Sequence, residues 1–267
     1  MAIKNAVLNY EQQIYLSGIL LTGVTSIQGS YSIPENPINI IGQGYTYPTI
    51  NGPLVGQFSL NKYYVGREPL LDYIGNNPIS GSVNFNNKSF GFNSGYLTEY
   101  SLSCSVGRIP EANASIEVFG NIGSGIDASG SASHPKIEIP NQGSIVLNTT
   151  GYQNNRITSF NYNLSIKRSP IYKIGSPYPI QVDRKTPMIQ KSSFQMDIND
   201  HEVVQLHEHL IKPQQQDLKI TLKNPIDNSI IETFSMDRAR LLSNSISSDS
   251  DGMMTLDLNY ESYINTK

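Results

Sequence analysis

Tryptophan is absent from the sequence, cysteine occurs once, and charged residues make up only 15% of the chain, where about a quarter is usual. A single cysteine excludes a disulfide framework and a cysteine-based metal site. Ala, Glu, Lys and Arg, which favour helices, are scarce, whereas β-branched and aromatic residues are common. Apolar residues recur along the whole chain and argue against disorder. The composition therefore predicts a folded chain that is not mainly helical.

The formal net charge is −3, with a pI of about 5.8. No basic run is present that could neutralise several phosphates, so stable binding to nucleic acid is not expected. The most apolar segment, residues 14–24, contains small polar residues and is too short to span a bilayer. The N-terminus also lacks the pattern of a secretory signal. We therefore expect no membrane contact.

Short segments that alternate polar and apolar residues recur along the chain. This alternation is typical of antiparallel strands with one buried face. Turn residues at 86–88 and 93–95, together with other Gly- and Pro-rich stretches, separate the segments and favour a sandwich or barrel. The clearest segments are residues 26–33, 57–60, 80–85, 100–106 and 115–119.

Two segments depart from the alternating pattern and predict short helices. Residues 66–75 place Pro69 in the first turn, where proline is tolerated. Residues 200–211 begin at Asp200, which can cap a helix, and Pro213 follows their end.

An internal repeat is the most informative feature of the sequence. Residues 24–42 align without a gap on residues 157–175, and 8 of the 19 positions are identical, where chance predicts about one or two. The order of elements also repeats, because each block is followed by a strand, a short helix and a final pair of strands. We therefore predict a first domain over residues 1–120, a linker over 121–142 and a second domain, a duplicate of the first, over 143–267.

No motif in the sequence indicates catalysis, a cofactor or a metal. His201, His207 and His209 lie on one predicted helix at spacings of six and two, whereas a helical zinc pair needs three or four. The sequence has no nucleophile elbow and no phosphate-binding loop. Cys104 lies in an alternating segment, which indicates a structural thiol. We expect no catalytic residue, no cofactor and no enzymatic activity.

Aromatic residues on predicted loops and turns are the candidate functional residues. Tyr45 and Tyr47 lie in a loop rich in Gly and Pro, and Tyr178 takes the matching place in the second copy. Phe90 and Phe92 lie near a turn. Such residues commonly supply contact area at interfaces. We interpret these five as self-assembly residues, although the loops could equally fold back on their own domain.

A further pattern covers residues 16–18, 21–35, 37–42, 90–97 and 118–120. These segments resemble tail tube proteins of tailed bacteriophages. The resemblance runs over much of the first copy and is diffuse in the second. It implies that each copy is a small antiparallel β-sandwich or barrel flanked by one short helix.

The resemblance also implies an assembly. Tube rings in such phages contain six tube domains, so a duplicated chain would form a homotrimeric ring with pseudo-sixfold symmetry. Stacked rings would make a hollow conduit in the virion tail, assembled in the host cytoplasm, through which DNA passes transiently. The chain itself is then the main partner, and the tape measure protein, the baseplate or tail-tip proteins and the terminator proteins are the others. Whether a sheath protein joins them is left open.

Two other functions are compatible with the same sequence. A tail-tip or baseplate hub component can also carry two tube domains, but it would not polymerise alone. A glycan-binding β-sandwich adhesin would act as a discrete particle. The residues do not indicate which strands would line a lumen.

Overall fold

The structure, a computed structural model, describes most of the chain. The predicted helix over residues 200–211, the four histidines and Tyr45 lie outside the described residues. Within the described part, the chain is almost entirely antiparallel β-structure, which confirms the all-β class. The described residues are 11–32, 34–42, 44, 46–130, 138–140, 145–149, 152–154, 157–197, 215–248 and 254–265.

Strands of the first half include one of 18 residues. They are β1 (Gln13–Leu16), β2 (Ile19–Leu20), β3 (Val24–Ser32), β4 (Glu35–Asn39), β5 (Thr46–Asn51), β6 (Val55–Tyr63), β7 (Ile79–Phe85), β8 (Lys88–Ser105), β9 (Glu111–Val118) and β10 (Ile122–Ser124).

Strands of the second half again include one of 18 residues. They are β11 (Ile145–Thr149), β12 (Tyr152–Asn154), β13 (Ile157–Ser165), β14 (Arg168–Ile171), β15 (Gln181–Arg184), β16 (Met188–Asp197), β17 (Gln216–Lys223), β18 (Ile230–Ser247) and β19 (Thr255–Ile264).

A short 3-10 helix, Pro69–Tyr73, lies within the segment where the sequence predicts a helix. Glu68 precedes it in an extended conformation and caps it, because its Oε1 accepts a hydrogen bond from the backbone N–H of Leu70 at 3.3 Å. Pro69 opens the helix, as its fixed φ allows.

Strand order is the same in the two halves. The first half runs β3–β6–β9–β8–β7–β1–β2 and the second runs β13–β16–β19–β18–β17–β11–β12. The pairing of β8 with β13 joins them into one continuous sheet. β10, which also pairs with β8, lies in the segment predicted as a linker. The boundaries of the two predicted domains stay a prediction.

The two halves also share a β-bulge at the same place. The register of β3 with β6 shifts around Thr25, and that of β13 with β16 shifts around Thr158. Thr25 Oγ1 donates a hydrogen bond to the backbone oxygen of Asn61, and Thr158 Oγ1 donates one to that of Gln195, both at 3.1 Å. Positions on β3 and β13 are therefore equivalent at an offset of 133 residues, the offset of the sequence repeat.

A second shared bulge fixes the equivalence of the long strands. The register of β8 with β9 shifts between Leu97 and Glu99, and that of β18 with β19 shifts between Leu241 and Ser243. β8 and β9 are therefore equivalent to β18 and β19 at an offset of 144 residues. A β-bulge bends the strand that carries it.

Each half also extends a two-stranded hairpin. We call β4, β5 and the turn between them arm 1, and β14, β15 and the turn between them arm 2. In the strand register, Glu35 lies opposite Asn51 in arm 1, and Arg168 lies opposite Arg184 in arm 2. Both members of each pair are related by the offset of 133, so the two arms have the same register at their base.

The tips of the arms are alike as well. Gly42 in arm 1 and Gly175 in arm 2 have φ values of 89° and 83°, a left-handed conformation that favours glycine. Beside them Ile41 and Ile174 are completely exposed.

Aromatic rings fill the core between two β-layers. The first layer consists of β3, β6, β9, β13, β16, β19 and the C-terminal parts of β8 and β18. The remaining strands of the large sheet fold over this first layer. Phe58 packs on Phe92 with ring centroids 4.8 Å apart, and Phe234 packs on Tyr162 at 4.7 Å and on Phe160 at 6.2 Å. Burial of one such side chain contributes about 1.5–3 kcal/mol.

Candidate assembly interface

One face of the first layer is polar. Its other face packs on the core, and alternation along each strand leaves Ser, Asn, Gln and charged residues outside. Cross-strand hydrogen bonds tie these side chains together: Asn61 Nδ2 donates to Ser26 Oγ at 2.9 Å and Asn259 Nδ2 donates to Ser243 Oγ at 3.0 Å. We call this surface the polar face.

Acidic residues outnumber basic residues on the polar face. The register places all of them on the same side of the layer. The acidic members are Glu99, Glu111, Glu117, Asp197, Asp257 and Glu261, and the basic members are Lys191 and Arg240.

The pairing of β8 with β13, which we call the internal junction, buries large side chains from both strands. Tyr162 lies opposite Leu102 and Leu164 lies opposite Tyr100. All four side chains are at most 4% exposed. The junction is therefore as well packed as the core itself.

Two strand edges equivalent to those of the internal junction have no partner among the described residues. β3, the equivalent of β13, pairs on one side with β6 alone. The Leu241–Ser247 part of β18, which contains the equivalents of residues 99–103 of β8 in the internal junction, pairs with β19 alone. Tyr31 on β3 is 57% exposed and Ile246 on β18 is 49% exposed. Open edges of this kind are sites for pairing with another chain.

A cavity of about 670 Å³ opens beside β3. Ile27 and Gly29 of β3 border it, and the equivalent positions on β13 are Phe160 and Tyr162, which are buried in the core. The smaller side chains of β3 leave the space that rings fill in the second half. The remaining apolar lining comes from Phe58, Val83, Phe85 and Phe90.

The structure describes four of the five aromatic residues singled out from the sequence, and they lie in different surroundings. Tyr47 lies in β5 rather than in a loop, because this segment pairs with β4 in arm 1. Phe92 is fully buried, because strand alternation turns its ring inward against Phe58. Phe90 is half-buried and lines the cavity. Tyr178 is 38% exposed, but its hydroxyl donates a hydrogen bond to the side chain of Asn121 in the same chain.

Cys104 lies in β8 and is buried, without a disulfide bond. Burial raises the pKa of its thiol to about 12. Because the thiolate is the reactive form, we expect iodoacetamide at about pH 8 to modify the thiol only after the chain is unfolded in urea. Intact mass measurement checks this, and rapid labelling of the folded chain would contradict it.

The described residues contain no group of three or more His, Cys, Asp or Glu side chains that could hold a metal ion. No helix in this part of the chain is long and apolar enough to cross a membrane. Comparison with protein-family models gives no match, and a search of curated proteins gives none either.

Proposed function

We propose that the chain is the structural subunit of a phage tail tube. Three copies would close into a ring with pseudo-sixfold symmetry, and rings would stack into a hollow conduit for the genome. The observation that carries the proposal is the pair of open edges, β3 and the C-terminal part of β18, which match the two strands of the internal junction.

The internal junction gives the register of the proposed contact. In the junction Leu102 lies opposite Tyr162 and Tyr100 lies opposite Leu164. The offset of 144 converts the β8 residues to Ile246 and Asn244 of β18, and the offset of 133 converts the β13 residues to Gly29 and Tyr31 of β3. Ile246 of one copy would therefore lie opposite Gly29 of the next, and Asn244 opposite Tyr31. Ile246 would then lie beside the cavity that borders Gly29. Its equivalent within the chain, Leu102, is 1% exposed, so a buried environment for Ile246 is expected in the ring.

Pairing of this kind is head-to-tail, because the two edges lie on different halves of the chain. Head-to-tail contacts produce a closed ring when the rotation closes. Around such a ring, internal junctions and junctions between copies alternate, and each strand edge of the first layer finds a partner. The resemblance to tail tube proteins implies six tube domains in a ring, which three chains supply.

The polar face would line the lumen. It is the solvent side of the layer whose edges close the ring, since the opposite side packs on the core. Ser and Asn side chains make hydrogen bonds to one another across the strands. The excess of acidic residues would repel phosphates, so DNA could pass without being held.

Electron microscopy of the purified chain tests the proposal. We expect rings or striated hollow tubes, whose averaged end views show three-fold rather than six-fold symmetry because the two halves differ in sequence. A chain that stays monomeric at every concentration would contradict the proposal. Rings that never stack would favour the tail-tip role instead, and glycan binding by a discrete particle would favour an adhesin.

A further inference from the structure

Arm 2 is held on the first half of the chain by Arg168. The guanidinium donates hydrogen bonds from Nε to the backbone oxygen of Leu97 at 3.0 Å and from Nη1 to that of Gly75 at 2.8 Å. Its Cζ lies 5.5 Å from the centre of the Tyr96 ring. Arg168 itself is 9% exposed, so the contact is largely shielded from water.

Further contacts extend the docking of arm 2. Val182 is buried in a cluster with Tyr96 and Phe119. The backbone N–H of Arg184 donates to Asn76 Oδ1 at 3.2 Å. Arm 2 therefore covers a surface formed by the middle of β8 and by the residues that follow the 3-10 helix and β9. This surface includes two aromatic rings, Tyr96 and Phe119, that are at most 8% exposed.

Among the described residues of the second half, the side chains at the equivalent positions are exposed. At the offset of 144, Tyr96 corresponds to Arg240 and Phe119 to Tyr263. Arg240 is exposed, Tyr263 is 48% exposed, and Leu242, at the bulge of β18, is 55% exposed. Arg240 also lies directly before the open edge of β18, so the surface continues into the proposed junction between copies.

We propose that arm 1 of one copy docks on this surface of the next copy, in the way that arm 2 docks within the chain. The proposal rests on the proposed ring. It identifies the occupant as a defined segment of a second copy of this chain, residues 35–51.

Charge complementarity selects this occupant. Glu35, the only charged residue of arm 1, takes the register position that Arg168 takes in arm 2. The surface position that faces the arm also differs between the halves: it is Tyr96 in the first half and Arg240 in the second. In the ring, the acidic arm 1 would therefore meet the basic surface of the second half. Glu261, opposite Arg240, pairs with Lys191 at 3.5 Å, so the three side chains together keep one net positive charge.

The same difference in charge disfavours the docking of either arm on the surface that belongs to the other arm. Arm 2 on the second-half surface would bring Arg168 against Arg240, and arm 1 on the first-half surface would bring Glu35 towards Glu117, which lies close to Arg168 in the chain. Juxtaposed like charges at an interface suppress the wrong partner. The charges would thus ensure that a second half always meets a first half, which fixes the order of halves around the ring.

Charge exchange tests the docking. Glu35→Arg and Arg240→Glu each create a like-charge contact, so we expect each to raise the concentration needed for ring formation by about tenfold or more. The double variant restores the opposite charges in reversed order and should recover most of the loss. Lys219→Glu makes the same charge change as Arg240→Glu at an exposed position on β17, away from the surface, and should assemble like the wild type.

Sedimentation velocity over a concentration series, with electron microscopy of the same samples, separates the outcomes. Rings from the wild type and unchanged assembly of both single variants would overturn the docking while leaving the proposed function intact. Weakened single variants without recovery in the double variant would also overturn it. A wild type that forms no ring would overturn the docking and the proposed function together.

Discussion

Replacing Lys62 with methionine is expected to lower the free energy of unfolding by about 3–5 kcal/mol. Lys62 Nζ lies 3.1 Å from Glu68 Oε2 and donates a hydrogen bond to Glu68 Oε1 at 3.2 Å. The two side chains are 4% and 0% exposed. Removal of the ammonium leaves a carboxyl group buried without its charged partner, and burial already raises the pKa of Glu68 above its usual value.

A double-mutant cycle separates the pair from the rest of the site. Glu68→Gln leaves the buried ammonium of Lys62 without a counter-charge and should also destabilise strongly. Gln keeps an oxygen that can accept from the Leu70 N–H, so the cap of the 3-10 helix is retained. The variant that carries both changes has no charge left at this buried site and should recover most of the lost stability.

Urea unfolding followed by circular dichroism measures these free energies, since the chain has no tryptophan to report on them. A loss below about 0.5 kcal/mol for Lys62→Met, the range typical of surface substitutions, would show that water reaches the pair. Additive losses in the double variant would show that the two charges do not interact.

The positions of strands and the internal repeat could be predicted from the sequence, because both follow from the order of residues along the chain. Four of the five residues of the alternating segment 115–119 lie in β9. The first residue of the sequence repeat, Val24, opens β3 as Ile157 opens β13. Period-two patterns follow from strand geometry alone. They therefore predict where strands lie, whatever the sheet looks like.

Strand continuity was not readable in the same way. Residues 93–95 have turn chemistry, yet they lie inside β8, where Ser94 has a φ of 52°. Gly95 pairs with both Ile79 and Val118, so neighbours on both sides hold the strand together across this irregular point. Tertiary pairing decides between a turn and a bent strand, and one sequence does not contain that information.

The open strand edges could not be predicted from the sequence either. β3 and β13 have the same pattern and repeat offset, but only β13 lies beside β8. Whether an edge is paired depends on the order of strands in the sheet. In hindsight the smaller side chains at Ile27 and Gly29, where the second copy has Phe160 and Tyr162, mark the strand that the chain itself leaves uncovered.

Replacing Ile246 with aspartate is expected to abolish ring closure without unfolding the chain. The side chain is 49% exposed in the isolated chain, so a carboxylate there remains in contact with water. In the proposed ring the same position would be covered by β3 of the next copy, opposite Gly29 and beside the apolar cavity. Burial of an unpaired carboxylate costs several kcal/mol, and a closed ring needs this contact at every junction between copies.

Ile226→Asp is the matched control for this variant. Ile226 lies in the turn between β17 and β18 and is 91% exposed, so the same substitution occurs away from the open edges. We expect the control to form rings like the wild type and Ile246→Asp to sediment as a folded monomer with an unchanged circular dichroism spectrum. Rings from Ile246→Asp would show that the C-terminal part of β18 is not the joining edge, because no closed sheet could tolerate a buried, unpaired carboxylate at each of its junctions.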